Sequence, residues 1–131
     1  MTDILTAATA PSPATRSYDI NISVINSSTQ ITDKEAENVV AALQIQLDRD
    51  FTPVWGVSAK LHNVGHGGKP VAGHWWLSLL DNSDQAGALG YHDLTNEGLP
   101  AGKAFIASDV QYGLAWSVTI SHELLEMLID P

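Results

Sequence analysis

The run Ser121-His122-Glu123-Leu124-Leu125-Glu126-Met127-Leu128-Ile129-Asp130, close to the end of the sequence, concentrates groups that bind metal ions or move protons. On a helix, residues four apart stack on one face. His122 and Glu126 would therefore project together, with Asp130 one further turn along. Glu123 would stand beside His122, offset by about 100° around the axis. Two ligands one turn apart, with a carboxylate next to the first, can hold a metal ion and place a base for water activation. The chain contains no cysteine, which excludes disulfides and thiolate ligands. A bound metal would rest on His, Asp, Glu, backbone or water.

The elements that must position this run are legible in the spacing of apolar residues. Tyr18, Ile20, Ile22 and Val24 alternate with Asp19, Asn21 and Ser23, the pattern of a half-buried strand. Thr32 and Glu35 form the signature of a capping box. Ala36, Val39, Val40, Leu43 and Leu47 then follow at helical spacing, and Pro53 is expected to end that helix. Val57–His62 reads as a second strand, and the Gly- and Pro-rich stretch from Gly65 to Pro70 as a loop. His74–Leu80 is apolar on both faces, as a central strand would be. Adjacent Trp75 and Trp76 must then point to opposite faces of the sheet. Asp81–Gly102 reads as a long irregular segment, Ala104–Ala107 as a short strand emerging from it, and Leu114–Ile129 as a helix. The expectation is an α+β domain: a small, mixed, mostly parallel sheet with a crossover helix after the first strand and an active-site helix at the C-terminal end.

The four remaining histidines carry weaker signals. His62 and His66 are four apart, but glycines at 65, 67 and 68 argue against a helix there. His74 starts a strand, where a structural role is expected. His92 lies in the long segment and suits a lid. Tyr112, just before the last helix, could donate a hydrogen bond to an oxyanion, although packing is the commoner role.

Composition bounds the partners. The 131 residues carry a formal charge of −9, from 15 acidic and 6 basic side chains. Such a chain repels phosphate backbones and anionic lipid surfaces, so neither nucleic acid nor a membrane is an expected partner. No apolar run approaches the length that spans a bilayer. Met1–Ser17 lacks the basic and apolar regions of a signal peptide and reads as a flexible leader, so the expected location is cytoplasmic or unassigned.

The run His122-Glu123-Leu124-Leu125-Glu126 resembles the HExxH motif of zincin metallopeptidases, with Glu126 where that family has its second His. The expected element order from Tyr18 to Asp130 is also similar to the N-terminal subdomain of metzincin-type folds. The resemblance implies a zinc-dependent peptidase acting on a peptide or protein substrate. His122 and Glu126 would be zinc ligands, and Glu123 the general base. It further implies that the strand before the helix, Ala104, Phe105, Ile106 and Ala107, is the sheet edge that pairs with an extended substrate. Two features depart from the family. A carboxylate at the second ligand position hardens the site and would also admit iron or manganese. The metzincin third ligand falls ten residues after the first His, beyond Pro131, and Ile129 stands where the family has Gly. The third ligand would then be Asp130, another histidine, or a residue of a C-terminal part completing the fold. A chain ending there also suits a self-processing enzyme. Two other readings are compatible with the same residues: a His/carboxylate iron or manganese enzyme, and a non-catalytic binding or assembly subunit on a zincin-like fold.

Overall fold

The computed structural model describes residues 18–82, 90–107 and 115–130. The chain begins with strand β1 (Ile20–Asn26) and helix α1 (Asp33–Gln46). A π-helical turn (Leu47–Phe51) and a short helix α2 (Thr52–Trp55) follow. Then come strands β2 (Ala59–Val64), β3 (Trp75–Leu80), β4 (Gly90–Leu94) and β5 (Pro100–Phe105), and finally helix α3 (Trp116–Ile129).

Helix α1 starts where the sequence requires. Thr32 accepts a hydrogen bond from the Glu35 N–H at 3.0 Å, and the Glu35 carboxylate accepts from the Thr32 N–H at 2.9 Å. Two of the otherwise unsatisfied first-turn donors are thereby closed. Its end differs from expectation. The α-helix stops at Gln46, and Pro53 is not a terminator but sits in the first turn of α2, where its missing N–H costs nothing. The π-helical turn between them turns Leu47 and Phe51 into the core. The helical stretch closes at Gly56, whose left-handed φ of 73° is open to a residue without Cβ.

The five strands form one sheet in the order β2-β1-β3-β5-β4. β2, β1, β3 and β5 run parallel, and β4 is antiparallel to β5. The domain is thus α+β, with a small and mostly parallel sheet. The crossover is present: α1 connects β1 to its parallel neighbour β2. β3 is central, as its two apolar faces require, lying between β1 and β5. The antiparallel β4 arises from a tight connection. Thr95 accepts from Gly98 N–H through its carbonyl, and its Oγ1 accepts from the N–H groups of Glu97 and Leu99.

Two expectations for the region before α3 need correction. The segment expected to be irregular over Asp81–Gly102 contains β4 and the start of β5. The strand expected at Ala104–Ala107 begins earlier, at Pro100, while Ile106 and Ala107 have already left it. β5 is also not the sheet edge: it pairs on both sides, and the edge is β4. Gly, Asn and Pro depress strand propensity across this stretch, and the pairing between strands overrides it.

Register and the two-residue period of a strand place Ile22, Val24, Leu61, Leu77, Leu79 and Ala104 on one face of the sheet. All are buried, and they share one core with Ala36, Val40 and Leu43 of α1 and Ile120, Leu124, Met127 and Leu128 of α3. Both long helices therefore cover the same face. Trp75 packs against this core from β3, while Trp76, next in the strand, points to the other face. Among the described residues, no helix is long and apolar enough to cross a membrane.

Candidate functional site

Helix α3 is held to the sheet by Ile120, Leu124, Met127 and Leu128, spaced so that all fall on one side. That packing decides where the polar residues of the same helix go. His122 and Glu126 emerge on the outer side, 71% and 52% exposed. Their side chains meet as the i, i+4 spacing predicts, with His122 Nε2 2.6 Å from Glu126 Oε2. An exposed pair of this kind contributes only about 0.3–0.5 kcal/mol to stability. Its geometric consequence is larger: an imidazole nitrogen and a carboxylate oxygen are brought together at a surface that solutes can reach.

Glu123 goes the other way. It is only 4% exposed and lies between α3 and β5. A Cβ placed on Gly102 would fall 3.3 Å from Glu123 Cγ and 2.6 Å from Met127 Sδ. The absence of a side chain at 102 is what lets this part of α3 settle on the strand. Next to β5, on the open side, runs the edge strand β4.

Asp130 does not join the His122–Glu126 pair. The helix ends at Ile129, and Asp130 is its C-cap, with φ −136° and ψ 68°. Leaving helical geometry removes it from the stacked line that the sequence implied. Among the described residues, no group of three His, Asp or Glu side chains is placed to hold a metal ion. The pair supplies two donors, one nitrogen and one oxygen. That donor set suits zinc, iron or manganese, with the remaining coordination open.

The other sequence candidates separate. Ala104, Phe105 and Ile106 are buried, and Ala104 belongs to the core between sheet and helices. They do not line an open edge. His62 and His66 do not converge. His62 lies on the sheet face opposite the helices, where its Nε2 is 2.9 Å from Asn21 Oδ1 and its ring is 4.6 Å from that of His74. His74 has the structural role expected, with Nδ1 2.9 Å from the buried Ser23 Oγ. Partial burial holds the His62 imidazole below its usual range, helped by His74 and Lys60 nearby. The side chain of His92, and Tyr112 altogether, lie outside the described residues.

Sequence reasoning missed one cluster. At the carboxyl ends of β1, β2 and β3, His66 Nδ1 lies 2.7 Å from Asp33 Oδ1, and Asn26 Nδ2 donates to the same oxygen at 3.0 Å. Beside it, Asp81 accepts from Ser28 Oγ, Thr29 Oγ1 and the Thr29 N–H at 2.7, 2.6 and 2.8 Å. Those three donors hold the Asp81 carboxyl below the usual carboxylate range. These residues are far apart in sequence, and only the parallel strand pairing brings them together. Comparison with family models, with curated proteins and with solved structures finds no match to this chain.

Proposed function

We propose that α3 carries the metal site of a zincin-like hydrolase that cleaves peptide or amide bonds. The observation that carries this reading is the convergence of His122 Nε2 and Glu126 Oε2 at 2.6 Å on the accessible side of a helix whose next residue, Glu123, is an inward carboxylate. The sheet order bears on it too: the strand before the motif helix, which the resemblance put at the edge, is interior, so the edge that a substrate would need is β4.

In this reading His122 and Glu126 hold the metal, which is zinc by the resemblance and iron or manganese if the carboxylate dominates the selectivity. The bound ion would supply Lewis-acid polarisation of the scissile carbonyl and make water a usable nucleophile at neutral pH. Glu123 is the general base, accepting a proton from the attacking water and delivering it to the leaving nitrogen. As base it would have to reach the pair from its buried place, where its Cγ lies close to Gly102 of β5. The reading places an extended peptide along β4, because among the described residues that strand pairs with a neighbouring strand on one side only.

A second reading rests on a specific observation. His122 and Glu126 already satisfy one another, and no third ligand stands beside them among the described residues. A zincin-like binding or assembly subunit without catalysis would look the same. Glu123→Gln separates the two, since it keeps shape and removes the base. A metallohydrolase loses about 10²–10⁴-fold in peptide cleavage with the variant folded as before. A binding subunit shows no chelator-sensitive cleavage in either protein.

A further inference from the structure

The loop after β2 is tied to the turn after β1 and to the start of α1 by the imidazole of His66. Nε2 of that ring lies 2.6 Å from the Ser28 carbonyl oxygen, and Nδ1 lies 2.7 Å from Asp33 Oδ1. A carbonyl oxygen has no proton to give, and an ionised carboxylate accepts only. A neutral imidazole has one N–H and one lone pair, so it can satisfy one of these contacts and must oppose the other with its lone pair. Only the imidazolium, with two N–H donors, satisfies both.

The surroundings agree with that assignment. The Asp33 carboxylate also accepts from the His66 backbone N–H, at 3.1 Å to Oδ1 and 3.2 Å to Oδ2. The residue before His66 is Gly65, and a Cβ there would lie 2.9 Å from Asp33 Oδ2, so the carboxylate is seated directly on the loop backbone. Among the described residues, the charged groups facing the ring are Asp33 from α1 and Asp81 after β3, both acidic. The Ser28 carbonyl raises the His66 proton affinity above its ordinary value, with Asp33 adding to it. Some burial pushes Asp33 up, but the His66 amide, Asn26 and the imidazole outweigh it and leave the carboxyl below its ordinary value.

We propose that His66 is a pH-sensitive clasp: as imidazolium it fastens the β2–β3 loop to the carboxyl ends of the parallel strands, and its deprotonation releases that loop. The position is one where open parallel sheets place ligand-binding loops, so the state of the clasp sets how accessible that rim is. The sign follows from linkage. A His with raised folded affinity contributes stability that is fully present below its unfolded value of 6.5 and is lost as pH rises through the folded value. Asp33, lowered from 3.8, contributes above that value and loses its contribution as pH falls through the folded one. The clasp is therefore closed in a window bounded below by Asp33 and above by His66.

The test uses the full chain with ¹⁵N labelling. The imidazole nitrogens of His66 are followed from pH 5 to 9, together with the backbone amides of 28–33 and 65–73. The expected result is that His66 carries protons on both nitrogens at pH 6.5, titrates above His62, and shares its midpoint with the amides of both segments. Asp33→Asn should lower the His66 midpoint, leaving the part that the Ser28 carbonyl contributes. His66→Gln should abolish the shared amide transition while leaving the core resonances in place. A single neutral tautomer at pH 6.5 would overturn the proposal. So would amides of 65–73 that do not change through the His66 midpoint.

Discussion

Gly102 of β5 faces Glu123 of α3 across the sheet–helix interface: a Cβ on Gly102 would lie 3.3 Å from Glu123 Cγ. The same hypothetical atom would lie 2.6 Å from Met127 Sδ. Gly102→Ala therefore forces α3 or its side chains to move. Met is flexible enough to absorb part of this, so the expected cost is about 1–2 kcal/mol, and Gly102→Val should cost more. Urea unfolding checks this. In a metallohydrolase, peptide cleavage should fall in Gly102→Ala even under conditions where the variant is fully folded, because Glu123 is displaced.

The outer edge of β2 is closed by a side chain. Gln44 of α1 donates from Nε2 to the Ala59 carbonyl at 2.9 Å and accepts from the Leu61 N–H at its Oε1, at 2.7 Å. Its amide thus pairs as a neighbouring strand would, which blunts an edge that could otherwise recruit another chain. Gln44→Ala should cost about 1–3 kcal/mol, since both backbone groups lose their partner. It should also make the protein associate at high concentration. Light scattering of the two proteins at matched concentrations distinguishes this from simple destabilisation.

His62 should act on stability in the direction opposite to His66. Its proton affinity is lowered from 6.5, chiefly by burial, then by His74 and Lys60. The unfolded chain therefore binds the proton more readily than the folded one. The contribution is intact above the unfolded value and is lost as pH falls through it toward the folded value. Between pH 8 and 5, His62→Gln should lose less stability than the wild type. Denaturation midpoints across that range measure the difference, and equal slopes would count against it.

Local signals in the sequence are legible where short-range chemistry decides the structure. Thr32 and Glu35 form their capping box, the strand expected after Tyr18 runs from Ile20 to Asn26 although Ser23 on its polar face is buried, and His122 meets Glu126 because both lie on one helix. Elsewhere distant partners decide. Pro53 does not end α1, because the π-helical turn at Leu47–Phe51 resets the chain before it. The strand before α3 is longer than Ala104–Ala107 suggested, and it is interior because β4 pairs outside it. Asp130 leaves the helical line by a change of backbone angles that residue spacing does not reveal. The cluster of Asp33, His66 and Asp81 is assembled by parallel pairing of strands, so nothing local announced it.

The central claim is that His122 and Glu126 hold a metal ion, and elemental analysis of the purified chain tests it most directly. Wild type, His122→Ala and Glu126→Ala would be purified side by side without added metal, offered zinc, iron or manganese in separate samples, and dialysed against metal-free buffer. Circular dichroism would confirm that all three fold. The account predicts about one metal ion per wild-type chain and loss of most of it in each variant. Equal metal content in all three proteins, or none in any of them after zinc, iron and manganese have each been offered, would contradict it.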